Sequence, residues 1–549
     1  MKRKAIALAL VALTWTTLLA ACTTVPGGVA TTSATQGAAT TASATQGGDT
    51  TAASTEASDP NVPQKGGQLK ATINSDPVSL DALLEGGESE QIPATHIFET
   101  ALSADTGGNI FPGVCDYEFD GMVLKLTVRD GVTFHDGSAV TIQDIEASMA
   151  RWLANVKFGV THFGSKLASS AVEGDTLVCT FAESAPLALT AVARYSQGLY
   201  ITPKAVCEKY PDGKIMKEDY IGTGPYKFVE HLADRYVLVE RYDGYVPTQN
   251  AADGLAAPKM AYLDKIYFYP VSDKTTRITG VQTGEYDVGI GVPSNLVASM
   301  SAEPGLVVEI KDLGITAVMI FNSNQGIGTD VNLRHAILHC LDMDEMMLAA
   351  QGDPSLYYLN PSVLHVASRW YTDIGSDEYN NLDLEKAQAY LDASDYNGET
   401  IRFITTKNND YFYKTAMVVA EKVKAIGITI DVQVYDNATL RQYRDDPTKF
   451  DIFSGGLGPY DDPVLLSLLD SSWAGNWENA KKDDLMAQMA AETDFAARYD
   501  IWKQVSAVLY EDLPVVTFGE RRSPIVYKAG IHNMFETSQK IYWNCWIAQ

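Results

Sequence analysis

Few residues in this 549-residue chain have types and spacings suited to catalysis or metal binding. His335 and His339 stand four apart, with Cys340 adjacent. On a helix that spacing puts both imidazoles on one face, where they could take zinc or nickel. Nothing in the sequence supplies the remaining ligands, and the same positions read equally as helix surface and core. Asp and Glu number 69, too many for any pair to stand out as the acid and base of a glycosidase. Tyr357-Tyr358, Trp370-Tyr371 and Tyr411-Phe412-Tyr413 could stack on a sugar ring or a peptide side chain, and equally serve as core or rim. A GxSxG nucleophile turn, a P-loop, HExxH and GxGxxG are all absent from the sequence. The chemistry to expect is capture of a ligand, with no catalysis, no cofactor and no resident metal.

One cysteine has a clearer context. Lys2, Arg3 and Lys4 precede an apolar and small-residue run from Ala5 to Ala21, diluted by Thr14, Thr16 and Thr17. That run falls short of the roughly 20 strongly apolar residues a membrane helix needs, and fits a secretion signal over residues 1–21. It ends in Leu19-Ala20-Ala21-Cys22, which resembles the lipobox of bacterial lipoproteins, and implies that Cys22 is diacylated and becomes the new N-terminus. Two acyl chains hold a protein on a membrane durably. Residues 22–64 are then a lipidated terminus and linker, almost entirely Thr, Ala, Ser, Gly, Gln and Pro. Such a composition lacks the apolar surface to offset the entropy of ordering, and predicts a flexible stalk.

The elements that would carry a site begin near Gly66. The remaining part, about 480 residues at 46% hydrophobic composition for the whole chain, is too long for one core and suits two or three lobes. The whole chain's formal charge is −27, or −30 without Lys2, Arg3 and Lys4, since 39 basic residues then face 69 acidic ones. That excess argues against nucleic acid as a partner. Cys115, Cys179, Cys207, Cys340 and Cys545 are odd in number and irregular in spacing, so no disulfide scaffold or CxxC frame is expected.

Apolar residues at Phe412, Ala416, Val419, Val423 and Ile426 predict a helix over 410–426, ended by Gly427. Alternation through Ile428, Ile430, Val432 and Val434 predicts a strand. A second helix is expected from the N-cap Asp383 to Leu391, before a strand at Ile401–Thr405. Strand, helix, strand favours a parallel pair. Residues 116–130 alternate around Asp120-Gly121 and Asp130-Gly131, as antiparallel hairpins do. The class is α/β.

Several blocks then recur in one order: Lys65-Gly66-Gly67-Gln68-Leu69 and Ser79-Leu80-Asp81; Leu126 through Gly137 with Thr141–Ile145 and Arg151; Gly222-Thr-Gly-Pro-Tyr-Lys-Phe228; Arg241–Tyr245; Leu263–Ile266, Thr276-Arg277 and Gly284–Asp287; Asn332–Ala336 and Leu341-Asp342; Asp462-Pro463 and Arg498. With them the chain resembles family 5 of the bacterial extracellular solute-binding proteins, the binding components of ABC importers. The resemblance implies a two-lobed, periplasmic-binding-protein-like fold closing about a hinge. Lobe one would take 65–300, with an extra subdomain at about 106–215, and regain the chain at 516–549; lobe two would be 301–515. It further implies a monomer on the outer face of the membrane, a small solute as ligand and permease subunits as partners.

Relatives that take peptides with a free amino terminus carry a Trp and an Asp before the Asp-Pro or Glu-Pro pair. Here those positions fall on Gly456 and Pro459, or Leu457 replaces the Trp in the other register, and the anchoring carboxylate is gone. Asp461 or Asp462 could substitute, and Asp76 sits where some members place a second acidic contact. The resemblance also puts Val78, Asn322 and Tyr460 at the ligand. An oligopeptide or peptide-like cargo leads; an oligosaccharide, or a surface receptor that imports nothing, stays open.

Overall fold

A computed structural model describes residues 62–534 and 539–548. Cys22, the signal and all but the last residues of the linker lie outside them.

The framework is a mixed sheet whose main path is made of β1 (Gln68–Ile73), β2 (Tyr226–Leu232), β3 (Tyr236–Arg241), β4 (Lys265–Pro270), β5 (Val288–Ile290), β6 (Leu306–Phe321), β7 (Ile401–Thr406), β8 (Ile430–Tyr435), β9 (Ile452–Leu457) and β10 (Val515–Lys528). Their order is β8-β7-β9-β6-β10-β5-β1-β4-β3-β2. The short strand Tyr357–Tyr358 adds to β10.

The long antiparallel pair β6 and β10 joins the two halves. It runs from Leu306 opposite Lys528 to Ile320 opposite Val515, with breaks of register between Asp312 and Ile315 and between Ala317 and Val318. On one side of the breaks Ile525 packs into a core built from residues 69–290 and 525–545. On the other side the period-two alternation of a strand splits β6 between two faces. Ala317, Met319 and Phe321 enter one core of the second half, and Val318 and Ile320 enter another. Gly314 has φ +62°, the left-handed backbone that favours glycine, and sits within the first break.

The local signals hold with shifts at element ends. The helix over 410–426 is α-helical for Asp410–Lys422, tightens to a 3₁₀ turn at Val423–Ile426, and is closed by Gly427 at φ +80°. The following strand starts at Ile430, since the Ile428 N–H donates to the Val423 carbonyl at 3.2 Å instead of joining the ladder. Asp383 caps Leu384–Asp392 by accepting from the Glu385 and Lys386 amides. β7 and β8 pair in parallel, as the strand-helix-strand order requires. Cys115–Phe119 and Val123–Val128 form an antiparallel hairpin inside a small four-stranded sheet.

Several of the ordered blocks are scaffold. Gly137 takes φ +87° in the turn after Asp136. Gly222 and Gly224 lie against helix Glu88–Ile97, and a Cβ there would stand 2.0 Å from the Ile97 carbonyl oxygen and 2.4 Å from that of His96. Arg151 pairs with Asp81 at 2.5 Å with both side chains buried, instead of with Asp144 on its own helix. All five described cysteines are buried free thiols.

Candidate functional site

Beside the β6 breaks a cavity of about 550 Å³ opens between the halves, within the usual size of a small-ligand site. Its floor is Glu309–Asp312 and Gly314 of β6. Gly314 lets the far wall close down: a Cβ there would lie 3.1 Å from Pro459 and 3.8 Å from the His365 ring.

The near wall has two loops. The turn Asp105–Asn109 joins strands Leu102–Ala104 and Ile110–Pro112 and is held by Asp105, whose carboxylate accepts from the Asn109 amide at 2.7 Å. Loop 194–198 follows helix Ala188–Ala193 and is fixed from below. Trp152 donates to the Gln197 carbonyl at 3.0 Å, Gln197 to that of Leu84 at 3.1 Å, and the Tyr200 hydroxyl to that of Tyr195 at 2.6 Å. This loop presents Arg194, Tyr195 and Ser196 to the cavity.

The far wall is Pro459-Tyr460-Asp461, just past β9, with His365, Ala367 and Ser368. Its shape follows from the residues that flank Asp461. Trp370 donates its indole N–H to the Asp461 carbonyl at 3.0 Å. Asp462 accepts from the Val464 amide at 3.0 Å and pairs with Arg498 at 2.8 Å. Held on both sides, Asp461 lines the cavity. A second cavity of about 440 Å³ adjoins, sharing Gly108, Ile110, Thr190 and Asp461 and adding Phe119, Arg369, Trp370 and Phe495.

The two halves touch across this cleft. The Arg369 amide donates to the Gly107 carbonyl at 3.2 Å. Cβ atoms built on Gly108 and Gly121 would lie 3.6 Å from Arg369 Cδ and 3.0 Å from Thr493 Cγ2.

Most charges on the cavity wall already have partners. Glu309 pairs with Lys311 at 2.6 Å, Asp312 with Arg522 at 2.7 Å, and Asp105 with Asn109. His365 accepts from the Ala367 amide through Nδ1 at 3.2 Å. Asp461 and Arg194 differ: neither forms an ion pair or side-chain hydrogen bond among the described residues, and Arg194 lies over the Phe158 ring at 4.1 Å. Asp461 is open to the cleft, and the protein packed around the cleft raises its carboxyl above the usual carboxylate range, with Arg194 pulling it back and Asp462 adding to the rise. Enclosure lowers the Arg194 guanidinium, opposed by Asp461 and Tyr460.

Of the residues singled out in the sequence, Pro459, Tyr460 and Asp461 line the cavity and Asp462 the adjoining one. Asp462 is committed to Arg498. Leu457 is buried in a core, and Gly456 is exposed on β9 under the Tyr411 hydroxyl. Asn322 is fully buried and donates to the Pro447 and Phe450 carbonyls, so it does not reach a ligand in this arrangement. Asp76 bonds His231 at 2.9 Å, and Val78 beside it is 83% exposed, both off the cavity. His335 and His339 stack on Tyr390, and among the described residues no group of three His, Cys, Asp or Glu is arranged for a metal.

Arg194 carried no motif in the sequence. The signal was its isolation: it is the only charged residue between Glu183 and Lys204.

The family described as bacterial extracellular solute-binding proteins, family 5 Middle, matches residues 115–477. A probable peptide ABC transporter periplasmic-binding protein, y4tO of Sinorhizobium fredii, is 26% identical over 85% of this chain and 90% of its own. The ABC transporter substrate binding protein CtaP of Listeria monocytogenes superposes with TM-score 0.77 at 19% identity, over 88% of this chain and 100% of that one. DppA of Helicobacter pylori, in complex with the peptide STSA, gives 0.70 at 19% identity, over 89% and 99%. The fold is that of the two-lobed binding proteins.

Proposed function

We propose that this chain, which belongs to the bacterial extracellular solute-binding proteins of family 5, captures an oligopeptide or peptide-like solute in the cleft between its lobes and hands it to the permease of an ABC importer. The observation that carries the peptide reading is Asp461, an uncommitted carboxylate in a cavity of peptide-fragment size. It stands two residues from the position where Pro459 has replaced the usual ammonium anchor, and supplies that anchor from the same wall.

We read the lobes as 65–300 with 516–549, and 301–515, the small four-stranded sheet falling within the subdomain at 106–215; at the last boundary Val516 and Phe518 pack into the core of the second lobe and Ile525 into that of the first. The N-terminal reading tethers the protein outside the membrane through acylated Cys22, and the family resemblance makes it a monomer. A neutral oligosaccharide would leave the Asp461 and Arg194 charges of the cleft without complementary partners, so the peptide reading is preferred over it.

Native mass spectrometry of the full chain, purified without denaturation and then exposed to a mixture of tri- to pentapeptides, tests the reading. Retained peptide masses are expected. Retention of an oligosaccharide from the host and of no peptide would overturn it.

A further inference from the structure

We propose that Asn397 is a site of spontaneous self-modification, where the Gly398 backbone nitrogen attacks the asparagine side chain and converts it to aspartate and isoaspartate. The inference concerns lobe two alone and does not depend on the ligand.

The reacting pair lies in the loop between helix Leu384–Asp392 and β7. Asparagine is one of the thermolabile residue types, and Asn397 is the only one in this chain followed by glycine. The reaction joins a main-chain nitrogen to the side-chain carbonyl carbon of the residue before it. It therefore needs a following residue without bulk and a backbone amide not held elsewhere. Gly398 meets the first condition. Beyond its chain neighbours nothing lies within 4 Å of where a Cβ would stand, and its φ of +91° is backbone that favours glycine. It meets the second too, since its N–H forms no hydrogen bond among the described residues. Asn397 is exposed, so water has access to the ring that forms. Its side chain is folded back along the loop, with Nδ2 donating to the Asp395 carbonyl at 2.8 Å. Its own N–H donates to the Glu399 carboxylate at 2.8 Å, which braces the loop around the pair. Other asparagines are obstructed. Asn322 is fully buried with Nδ2 donating to two carbonyls, and Asn360 precedes Pro361, which has no N–H to react.

The chemistry balances with solvent alone. The Gly398 nitrogen gives its proton to hydroxide and bonds to Asn397 Cγ. The Cγ–Nδ2 bond breaks, and Nδ2 takes a proton from water and leaves as ammonia, closing a cyclic imide. Water then opens the imide at one of its two carbonyls. Cleavage at Cγ gives aspartate, and cleavage at the main-chain carbonyl gives isoaspartate. One water is consumed and one ammonia released. The product sets a carboxylate between Asp395 and Glu399, and an acceptor where Nδ2 had donated to the Asp395 carbonyl. Like charge and the lost bond both loosen the loop. That loop is tied to the next helix through Asp330, which accepts from the Asp395 amide at 2.6 Å and the Leu333 amide at 3.1 Å. None of residues 393–400 lines either cleft cavity.

Ageing the full chain in warm, mildly alkaline buffer, followed by isoelectric focusing and peptide mapping, tests the inference. Wild type should gain a form more acidic by one charge, with ammonia released and the change located at Asn397. The conversion should run faster at higher pH. Isoaspartate by itself does not decide, because Asp-Gly pairs such as Asp120-Gly121 and Asp136-Gly137 also cyclise, without ammonia or a change of charge. Asn397→Gln, which removes the reacting side chain, and Gly398→Ala, which leaves it and restores bulk beside it, should each suppress the acidic form. New charge located at other asparagines and not at Asn397, or no acidic form at all, overturns the inference. An acidic form that builds up equally in wild type and both variants overturns it as well.

Discussion

Asp462 and Arg498 form an ion pair of 2.8 Å between two buried side chains, 36 positions apart in sequence, and this pair decides which of two adjacent carboxylates is available to a ligand. Arg498 also donates to the Met489 carbonyl at 3.1 Å, tying the start of helix Phe495–Asp512 to the preceding helix. Asp462 is scaffold and Asp461 is free. Replacing Asp462 with Asn leaves a buried guanidinium uncompensated, at a cost of about 3–5 kcal/mol. The urea midpoint should fall accordingly. Asp461→Asn, which removes a carboxylate with no partner, should leave it unchanged or slightly raised. Equal losses in the two variants would reverse the assignment.

The contact between Gly121 and Thr493 offers a lock on the cleft. A Cβ at Gly121 would stand 3.6 Å from Thr493 Cβ, inside the roughly 3.5–4.5 Å span of a disulfide. The pair Gly121→Cys with Thr493→Cys should oxidise readily, at some strain because Gly121 has φ +93°. The five thiols among the described residues are buried and do not compete. Oxidation should slow ligand exchange by orders of magnitude and hold the radius of gyration at its closed value in solution scattering; reduction should restore both. Exchange that stays fast in the oxidised protein would show that the lobes do not close through this contact.

His135 provides a pH signature of the scaffold. Its Nδ1 accepts from the Gly222 amide at 3.3 Å and its Nε2 donates to the Gly224 carbonyl at 2.9 Å, which fixes a neutral tautomer. Burial, the main cause, lowers it to about 4 from an ordinary 6.5. Between those values the unfolded chain binds the proton and the native chain does not, so stability falls as pH drops from 6.5 to about 4 and levels off below. The contribution is about 1.4 kcal/mol per pH unit. His135→Gln should show a shallower acid slope by about that amount, measured by urea unfolding at a series of pH values. An unchanged slope would mean that His135 is protonated in the native state.

The N-terminal reading has a direct test. Cys22→Ser should release the protein from the membrane fraction into the medium or periplasm, with ligand binding intact. A variant that stays with the membrane through high-salt washing would exclude the lipid anchor.

How much of this was legible in the sequence depends on the range over which each signal acts. Helix Asp410–Lys422, the Asp383 cap, the Asp120-Gly121 hairpin and the parallel pair of Ile401–Thr406 with Ile430–Tyr435 rest on neighbouring residues, and periodicity reads them within a few positions. The start of the last strand was off by two because Ile428 closes the preceding helix. The β6–β10 ribbon, with its glycine inside a register break, pairs residues more than 190 apart, and no local pattern announces it. At the site, the segment 459–462 was identified, whereas the separate fates of Asp461 and Asp462 depend on Arg498 and Trp370, which only the fold brings together. Asn322 was expected at the ligand; its amide is instead consumed by two carbonyls of the 447–450 turn.

Asp461 makes the sharpest prediction about the cargo, because its role can be read through charge and through pH at once. An ammonium group that pairs with it replaces the water lost on entering the cleft, a charge-assisted contact worth about tenfold or more in affinity. N-acetylation of a bound peptide should therefore weaken wild type by at least that factor, and Asp461→Asn should bind free and acetylated peptides alike. The protein packed around the cleft raises the Asp461 carboxyl, and a protonated carboxyl cannot attract the ammonium. Affinity for the free-amine peptide should accordingly decline on acidification at a pH above the ordinary carboxylate range, while the acetylated twin changes little. The decline should be absent in Asp461→Asn. If the acetylated peptide weakens in parallel with the free one, the proton is acting on closure of the cleft and not on the ammonium contact. If the free-amine preference survives in Asp461→Asn, the cationic end of the ligand lies elsewhere, and the carboxylate two residues from Pro459 has not taken over the anchor.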